Sequence, residues 1–193
     1  MLHTTNPKKH LTVPSIMSVF DDGYPVSLAA MLDRRETRVR QQEAWRQHYK
    51  SALLSFTLNI PGPIKTSSMI HWAFQEGYRL IRQTLLHLSS TAIIDEEAIH
   101  LPTGDEYLCA FHGEPSSIKK RMMSIEEHHP LGRLFDIDIL LPSGEKLSRP
   151  RYRRCFLCHE QAQVCARSRA HTLDELQTAI SHLIMISYYA SAK

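Results

Sequence analysis

The stretch His129-Pro-Leu-Gly-Arg-Leu-Phe-Asp-Ile-Asp-Ile-Leu-Leu141 is the one from which the rest of the chain is best interpreted. Residues 134–141 are rich in Ile, Leu and Phe and run into Pro142-Ser143-Gly144, a pattern that predicts a β-strand ending in a turn. Side chains on a strand alternate between two faces. One face of this strand therefore carries both Asp136 and Asp138, and the other face is apolar.

Two carboxylates this close on an apolar strand require a partner, because like charges repel and an unpaired buried charge is costly. Carboxylate oxygens suit Mg²⁺ or Mn²⁺, which commonly link one or two carboxylates to substrate phosphates. Asp136 and Asp138 therefore indicate a metal site for phosphoryl or nucleotidyl transfer. The alternative is an edge strand with a solvated face, on which the acids pair with nearby arginines. The Asp-x-Asp spacing alone does not decide between them.

Composition limits the class of protein. A chain of 193 residues with 42% hydrophobic and 22% charged residues is long and apolar enough for one sizeable core. The net charge of +3 does not by itself indicate a nucleic-acid partner. No apolar run approaches a membrane span and no signal-peptide core is present, so we expect a cytoplasmic protein without a membrane partner.

The pattern of helices and strands predicts an α+β fold. Residues 1–14 are predicted to form a flexible tail, and residues 15–193 a single domain with a Cys- and Arg-rich segment at 149–171. We expect a mixed or mainly antiparallel sheet flanked by helices. The predicted helices cover 27–49, 67–88, 116–127 and 172–188, and the predicted strands cover 52–60, 91–99, 106–111 and 134–141. Within the first helix, Ser27 is the predicted N-cap, and Leu28, Met31 and Leu32 begin a predicted apolar face.

A second candidate site follows the first strand. Pro61-Gly62-Pro63 forms a tight turn, Lys65 follows it, and Ser67 begins a helix. A strand, a tight turn, a lysine and a helix N-terminus together suit a bound anion. A purely structural turn with an exposed lysine explains the same residues.

The third candidate site is the series Cys155-x2-Cys158-x6-Cys165-x5-His171. Two cysteines separated by two residues can direct both thiolates at one metal ion, and the other two residues would complete a tetrahedral Zn²⁺ site. His159 is a competing ligand. The alternatives are reduced cysteines lining a helix or hairpin and, less favoured, a nucleophilic cysteine with a lowered pKa.

Several stretches in order resemble the citrate lyase holo-carrier-protein synthases, the apo-citrate lyase phosphoribosyl-dephospho-CoA transferases. These stretches are Arg34–Gln41 (RRETRVRQ), Leu54–Lys65 (LSFTLNIPGPIK), Glu127–Ile139 (EHHPLGRLFDIDI), Leu147–Arg149 (LSR) and Arg154–His171 (RCFLCHEQAQVCARSRAH). They cover most of the chain outside the N-terminal tail.

The resemblance implies a reaction and its partners. The expected donor is 2′-(5″-triphosphoribosyl)-3′-dephospho-CoA, and the expected acceptor is a serine of the citrate lyase acyl carrier subunit. A phosphodiester would form and pyrophosphate would leave. Asp136 and Asp138 would hold Mg²⁺ against the triphosphate, and one of them or His129 would act as the general base.

The resemblance also implies which residues bind phosphate. The expected cationic contacts and glycine turns are Arg133, Lys65, Arg149, Arg34 or Arg40, Gly62 and Gly132. The strand acids are similar to those of the nucleotidyltransferase fold. This chain departs from that pattern because Gly132 is followed by Arg133 rather than Ser, and Glu145 is only a weak candidate for a third carboxylate.

Two other functions fit part of the sequence. The related carrier-protein synthase of malonate decarboxylase would use the same chemistry on another partner, although the Pro-Gly-Pro turn and the cysteine-rich segment favour the citrate lyase type. A zinc-stabilised module whose arginines grip RNA or an acidic protein predicts zinc, salt-sensitive binding and no dependence on Asp136 or Asp138. Few aromatic residues accompany the arginines, so we expect no nucleic-acid partner.

Overall fold

The computed structural model describes residues 18–158 and 160–191; the predicted tail at 1–14 and His159 lie outside the described residues. The helices are α1 (Leu28–Tyr49), α2 (Ser68–His87), α3 (Pro115–His128), α4 (Ala162–Ser168) and α5 (Leu173–Ser191). The strands are β1 (Ala52–Leu58), β2 (Ala92–Ile99), β3 (Glu106–His112) and β4 (Phe135–Leu140), and a short 3₁₀ helix at Gly132–Leu134 precedes β4. The predicted α+β class is confirmed.

The four strands form one sheet in the order β2-β3-β1-β4, and every neighbouring pair is antiparallel. The sheet is therefore wholly antiparallel across the described residues, which resolves the choice between mixed and antiparallel pairing. β4, the strand with the two acids, lies at an edge. Its register places Asp136 opposite Thr57 and Asp138 opposite Ser55 on β1.

Local sequence signals fix most helix starts. The Ser27 Oγ accepts the Ala30 N–H at 3.1 Å, and Thr172 and Glu175 form the predicted capping box, with the Glu175 N–H donating to the Thr172 Oγ1 at 3.2 Å. The predicted start of the third helix at Ser116 or Ser117 was late. Helix α3 begins at Pro115, whose ring pre-sets a helical φ, and Glu114 is the N-cap.

The main core lies between one face of the sheet and helices α2, α3 and α5. The Phe56 and Phe74 rings stack with centroids 4.9 Å apart, and Phe135 meets Phe56 edge to face at 5.4 Å. All three side chains are fully buried. Because Phe135 faces this core, strand alternation directs Asp136 and Asp138 to the opposite face of β4.

Helix α1 covers that opposite face, and the prediction of its apolar face was wrong. Leu28 is 75% exposed and Leu32 is 49% exposed. The apolar contact instead comes from Trp45 and Tyr49 at the end of the helix, which pack on the small cluster around Leu53. The earlier turns meet the sheet through polar side chains, so the apolar spacing at the start of α1 did not mark the buried side.

Helices in the part of the chain that the structure describes are too short or too polar to cross a membrane.

Candidate active site

The two strand acids share one face of β4, as the sequence predicts, and both lie beside cations. Asp138 forms an ion pair with Lys146, and the Asp136 Oδ1 lies 3.8 Å from an Arg153 guanidinium nitrogen. The Asp136 side chain is 49% exposed, so its oxygens are accessible to a ligand. The geometry gives a solvent-facing pair of oxygen donors next to positive charge, and it is also the arrangement expected of an edge strand with paired acids.

The outer edge of β4 is covered partly by the returning backbone, where the Leu147 N–H donates to the Ile139 carbonyl at 2.9 Å, and partly by side chains. The Ile137 N–H donates to the buried Glu126 carboxylate at 3.0 Å, and the Ile137 carbonyl accepts from the Lys119 ammonium at 2.9 Å. Burial lowers the pKa of Lys119. Unpaired edge groups invite association with other chains, so these contacts protect the strand. They also fix β4 to α3.

The same Glu126 carboxylate anchors two arginines. Arg149 and Arg153 both form ion pairs with Glu126, and Arg153 also donates to the Phe135 carbonyl. A single buried carboxylate thus holds two guanidinium groups at the start of β4. Burial, and after it the positive charge of the neighbouring Arg153, lower the pKa of Arg149.

Two cavities meet at these arginines. A cleft of about 670 Å³ lies between the Pro61 turn, the 153–172 segment and α5, and it is mainly apolar. A smaller cavity of about 260 Å³ is lined by five arginines: Arg133, Arg149, Arg151, Arg153 and Arg154. Arg133, Arg153 and Arg154 line both cavities. An apolar cleft next to an arginine-lined cavity suits a large ligand that ends in several phosphates.

Gly132 and Arg133 both line the arginine-rich cavity. A side chain at Gly132 would place its Cβ 2.5 Å from the Ile125 carbonyl oxygen, so only glycine allows the 3₁₀ helix to approach α3 this closely. Arg133 donates to the Arg154 carbonyl, and burial lowers its pKa.

His129 lies on the core side of β4. Its ring stacks on Phe135 at 5.3 Å, and its Nδ1 accepts the Leu131 N–H at 3.2 Å. Burial lowers the pKa of His129, so the imidazole is neutral near pH 7. In a neutral imidazole whose Nδ1 accepts, Nε2 carries the proton. The structure therefore does not bring this residue to the acids, which face the other side of β4.

The Pro-Gly-Pro turn separates its two predicted contacts. Gly62 has a φ of +86°, and its backbone lies against Leu173 at the start of α5, beside the large cleft. Lys65 faces a different cavity of about 120 Å³, where its ammonium donates to the Ile60 carbonyl at 2.6 Å. Burial lowers the pKa of Lys65. The lysine is thus half-buried and partnered, not exposed.

The arginines of α1 point in different directions. Arg34 pairs with Glu106 at 2.7 Å, and this hydrogen bond raises the pKa of Arg34. Arg40 is exposed and contacts Thr37. Arg38, which was not among the predicted site residues, lines a cavity with Thr57, the residue opposite Asp136. Arg34 and Arg38 are four residues apart and therefore lie on the same face of α1. This helical spacing is the sequence signal from which Arg38 could have been found.

The four predicted zinc ligands come together. Their ligand atoms lie within 4.8 Å of one another. The Cys158 Sγ is 3.4 Å from the Cys165 Sγ and 3.4 Å from the His171 Nε2. Burial alone would raise the pKa of Cys155, but hydrogen bonds from the Leu157 and Cys158 backbones and from the neighbouring thiols outweigh it and lower that pKa. All four described cysteines are unbridged.

Sequence reasoning missed a second cluster, formed by His71, His100 and Asp105. The buried Asp105 carboxylate accepts from the Nδ1 of His71 at 2.9 Å and pairs through its other oxygen with the Nδ1 of His100. These hydrogen bonds account for the arrangement, which pins the loop before β3 to α2. The three residues are 34 positions apart at most along the chain, and no local motif indicates the cluster.

Comparison with known proteins gives one consistent result. The family model described as "Apo-citrate lyase phosphoribosyl-dephospho-CoA transferase" matches residues 26–186. A protein of that name from Escherichia coli O1:K1 / APEC is 34% identical over 173 residues, which cover 88% of this chain and 94% of the relative. Another, from Shigella flexneri serotype 5b (strain 8401), is 36% identical over 165 residues, which cover 83% and 90%.

Proposed function

The chain belongs to the family of apo-citrate lyase phosphoribosyl-dephospho-CoA transferases, and from this membership we propose how its site carries out the transfer. The donor in this proposal is 2′-(5″-triphosphoribosyl)-3′-dephospho-CoA, and the acceptor is a serine hydroxyl of the citrate lyase acyl carrier subunit. The serine oxygen forms a bond to the phosphorus attached to the ribose. The bond from that phosphorus to the pyrophosphate oxygen breaks, and the serine proton passes to a base.

The observation that carries the proposal is the meeting of two cavities at one set of arginines next to the β4 acids. The arginine-lined cavity of about 260 Å³ accommodates phosphates, and the apolar cleft of about 670 Å³ accommodates the dephospho-CoA body. Arg133 and Arg153 lie at the boundary. Guanidinium groups there bind phosphate oxygens and offset the charge that develops on the leaving pyrophosphate.

The strand acids have the chemistry of a Mg²⁺ or Mn²⁺ site. Asp136 and Asp138 offer oxygen donors on one face, Asp136 is accessible, and the hydroxyls of Ser55 and Thr57 lie on the same side across β1. Hard divalent cations prefer this donor set. A bound ion would stabilise the negative charge of the triphosphate. Lys146, which pairs with Asp138, has to release it when the carboxylate binds a cation.

We assign the general base to the strand acids rather than to His129. An acceptor for the serine proton needs a free lone pair facing the substrate. The Asp136 carboxylate has one, whereas the His129 Nδ1 already accepts the Leu131 N–H. The base and the cation ligands thus share one face of β4.

The acceptor protein approaches the exposed side of the arginines in this proposal. Arg151 and Arg154 are exposed at the rim of the smaller cavity, and acyl carrier proteins are commonly acidic. We expect the reaction to take place in the cytoplasm, a reducing compartment that suits a chain with four unbridged cysteines.

The test is pyrophosphate release with purified apo-carrier, the triphosphoribosyl donor and Mg²⁺, comparing the native chain with Asp136→Asn and Asp138→Asn. We expect each substitution to lower kcat by about 100-fold or more, because each removes charge at the reacting phosphates. The matched control is Asp95→Asn, which neutralises an exposed acid on the opposite edge strand, β2.

A second readout separates binding from chemistry. Mn²⁺ titration followed by electron paramagnetic resonance should show one site in the native chain and in Asp95→Asn, and a weaker one in both β4 variants. Full activity in both β4 variants would move the chemistry away from β4. A native chain that releases no pyrophosphate with the citrate lyase carrier, but does so with the malonate decarboxylase carrier, would reassign the acceptor.

A further inference from the structure

The Cys- and Arg-rich segment from 149 to 171 has almost no apolar core of its own. Among its described residues, only Cys155 and Cys165 are buried, while Leu157 and Val164 are 39% and 51% exposed. Small units that bury so little apolar surface are commonly held together by disulfides or a metal ion. The described cysteines form no disulfide. Phe156 packs against the main core and Arg149 and Arg153 pair with Glu126, but within the segment itself a metal ion is the cross-link that its residues could supply.

The backbone of residues 153–171, called the knuckle below, presents its four candidate ligands in the way that zinc-binding knuckles do. The Cys155 N–H donates to the Glu160 carbonyl at 2.6 Å, and the Ala162 N–H donates to the Arg153 carbonyl at 2.9 Å, so a tight hairpin carries Cys155 and Cys158 at its tip. Helix α4 then supplies Cys165.

The last ligand follows a sharp reversal of the chain. Arg169 ends α4 in the left-handed conformation with a φ of 50°, and the Ala170 N–H returns to the Cys165 carbonyl at 3.1 Å. This turn directs His171 back toward the thiols, so its Nε2 lies 3.4 Å from the Cys158 Sγ. Three separate local structures thus converge on one point.

The spacing fits a tetrahedral ion. Zinc–sulfur bonds of about 2.3 Å place two bound thiolates about 3.8 Å apart. The Cys158 and Cys165 sulfurs are 3.4 Å apart, and all four ligand atoms lie within 4.8 Å of one another. A site of three thiolate sulfurs and one imidazole nitrogen binds zinc in preference to magnesium or calcium, which favour oxygen ligands.

We propose that Cys155, Cys158, Cys165 and His171 bind one structural zinc ion that fixes the arginine segment against β4. Four protein ligands leave no open position for substrate, which is the pattern of structural zinc. Arg153 and Arg154 directly precede the first ligand, and they contact Glu126 and Arg133, respectively. The ion therefore holds in place two of the three arginines that line both cavities.

The fourth cysteine provides a matched control. Cys109 lies on β3 in the main core, fully buried and remote from the knuckle in sequence, and burial raises its pKa to about 12. The full chain, purified without an affinity histidine tag or chelator, should contain one zinc per chain by mass spectrometry of the metal. Cys158→Ser and His171→Ala should retain less than a tenth of that amount, and Cys109→Ser should retain all of it.

Measurements on the native chain keep the test decisive if the ligand variants fail to fold. Replacement of zinc by Co²⁺ should give intense visible d–d absorption and a thiolate charge-transfer band, both typical of tetrahedral sulfur coordination. Chelation should raise the alkylation rate at the three knuckle cysteines more than tenfold and leave the rate at Cys109 unchanged. Hydrogen exchange should rise by a similar factor in residues 149–171 and not in β3.

These results are independent of the transfer reaction, because metal content and thiol reactivity are read without substrate. A chain that binds no zinc in zinc-supplemented preparations, or that holds a Cys158–Cys165 disulfide under reducing conditions, would overturn the site. Zinc retained in Cys158→Ser but lost in Cys109→Ser would also overturn it.

Discussion

Glu126→Gln tests the network that joins the arginines to β4. The native carboxylate is buried and accepts from Arg149, from Arg153 and from the Ile137 N–H at 3.0 Å. The amide of Gln keeps the shape and can still accept from Ile137. It removes the negative charge, however, and it turns an N–H₂ group toward the guanidinium donors of Arg149 and Arg153.

The magnitude follows from how buried the partners are. Removing one member of a fully buried ion pair costs about 3–5 kcal/mol. The Arg149 and Arg153 side chains are 19% and 26% exposed, so water recovers part of their solvation. We therefore expect Glu126→Gln to lower the free energy of unfolding by about 2–4 kcal/mol. For a chain of this length the loss corresponds to a fall in Tm of roughly 4–16 °C.

The assay is urea denaturation of the native chain, Glu126→Gln and Glu127→Gln. Glu127 is the adjacent, exposed acid on the same helix and is the matched control, with an expected change below about 0.5 kcal/mol. Glu126→Gln should also raise KM for the donor, because its arginines lose their anchor. A stability loss below about 1 kcal/mol, or one equal to that of Glu127→Gln, would refute the assignment of Glu126 as that anchor.

Two further predictions address single groups. Burial lowers the pKa of His129 in the folded chain, so the unfolded chain binds its proton first as the pH falls, and stability present above about pH 6.5 is lost below it. Denaturation of His129→Gln and the native chain between pH 8 and 5 should therefore give a stability difference that shrinks with acidification; a constant difference would contradict the argument. Lys146→Gln should tighten Mn²⁺ binding by about 1.5- to 5-fold, because an exposed ion pair that competes for Asp138 contributes about 0.2–1 kcal/mol. The control is Lys120→Gln on α3, and weaker Mn²⁺ binding in Lys146→Gln would mean that the lysine assists the site.

Strong local patterns predicted the local structure well. Ser27 and the Thr172–Glu175 capping box fixed two helix starts because capping depends on residues three apart in sequence. Alternation along β4 correctly placed the two acids on one face. The apolar side of α1 failed as a prediction, since Leu28 and Leu32 have no apolar surface beneath them once the sheet is assembled.

The residues of the candidate site divide in the same way, into those that the sequence predicted and those that it did not. Its acids and its cysteine series were predicted from residue type and spacing, and Arg133 and Arg149 were predicted from the family resemblance. Glu126 was not, because an acid in the polar run of an amphipathic helix gives no sign that it will be buried. Arg38 and the cluster around Asp105 were missed because their partners come from other strands and helices.

The sequence by itself determined the four strands and every described α-helix except α4, the face on which Asp136 and Asp138 lie, and the family, since these depend on short-range periodicity and on ordered motifs. The tertiary structure alone decided that β4 is an edge strand, that one buried carboxylate gathers Arg149 and Arg153, and that His129 faces the core. Those features depend on which distant segments pack together. That choice is set by the burial of the whole core, which no local stretch of the chain encodes.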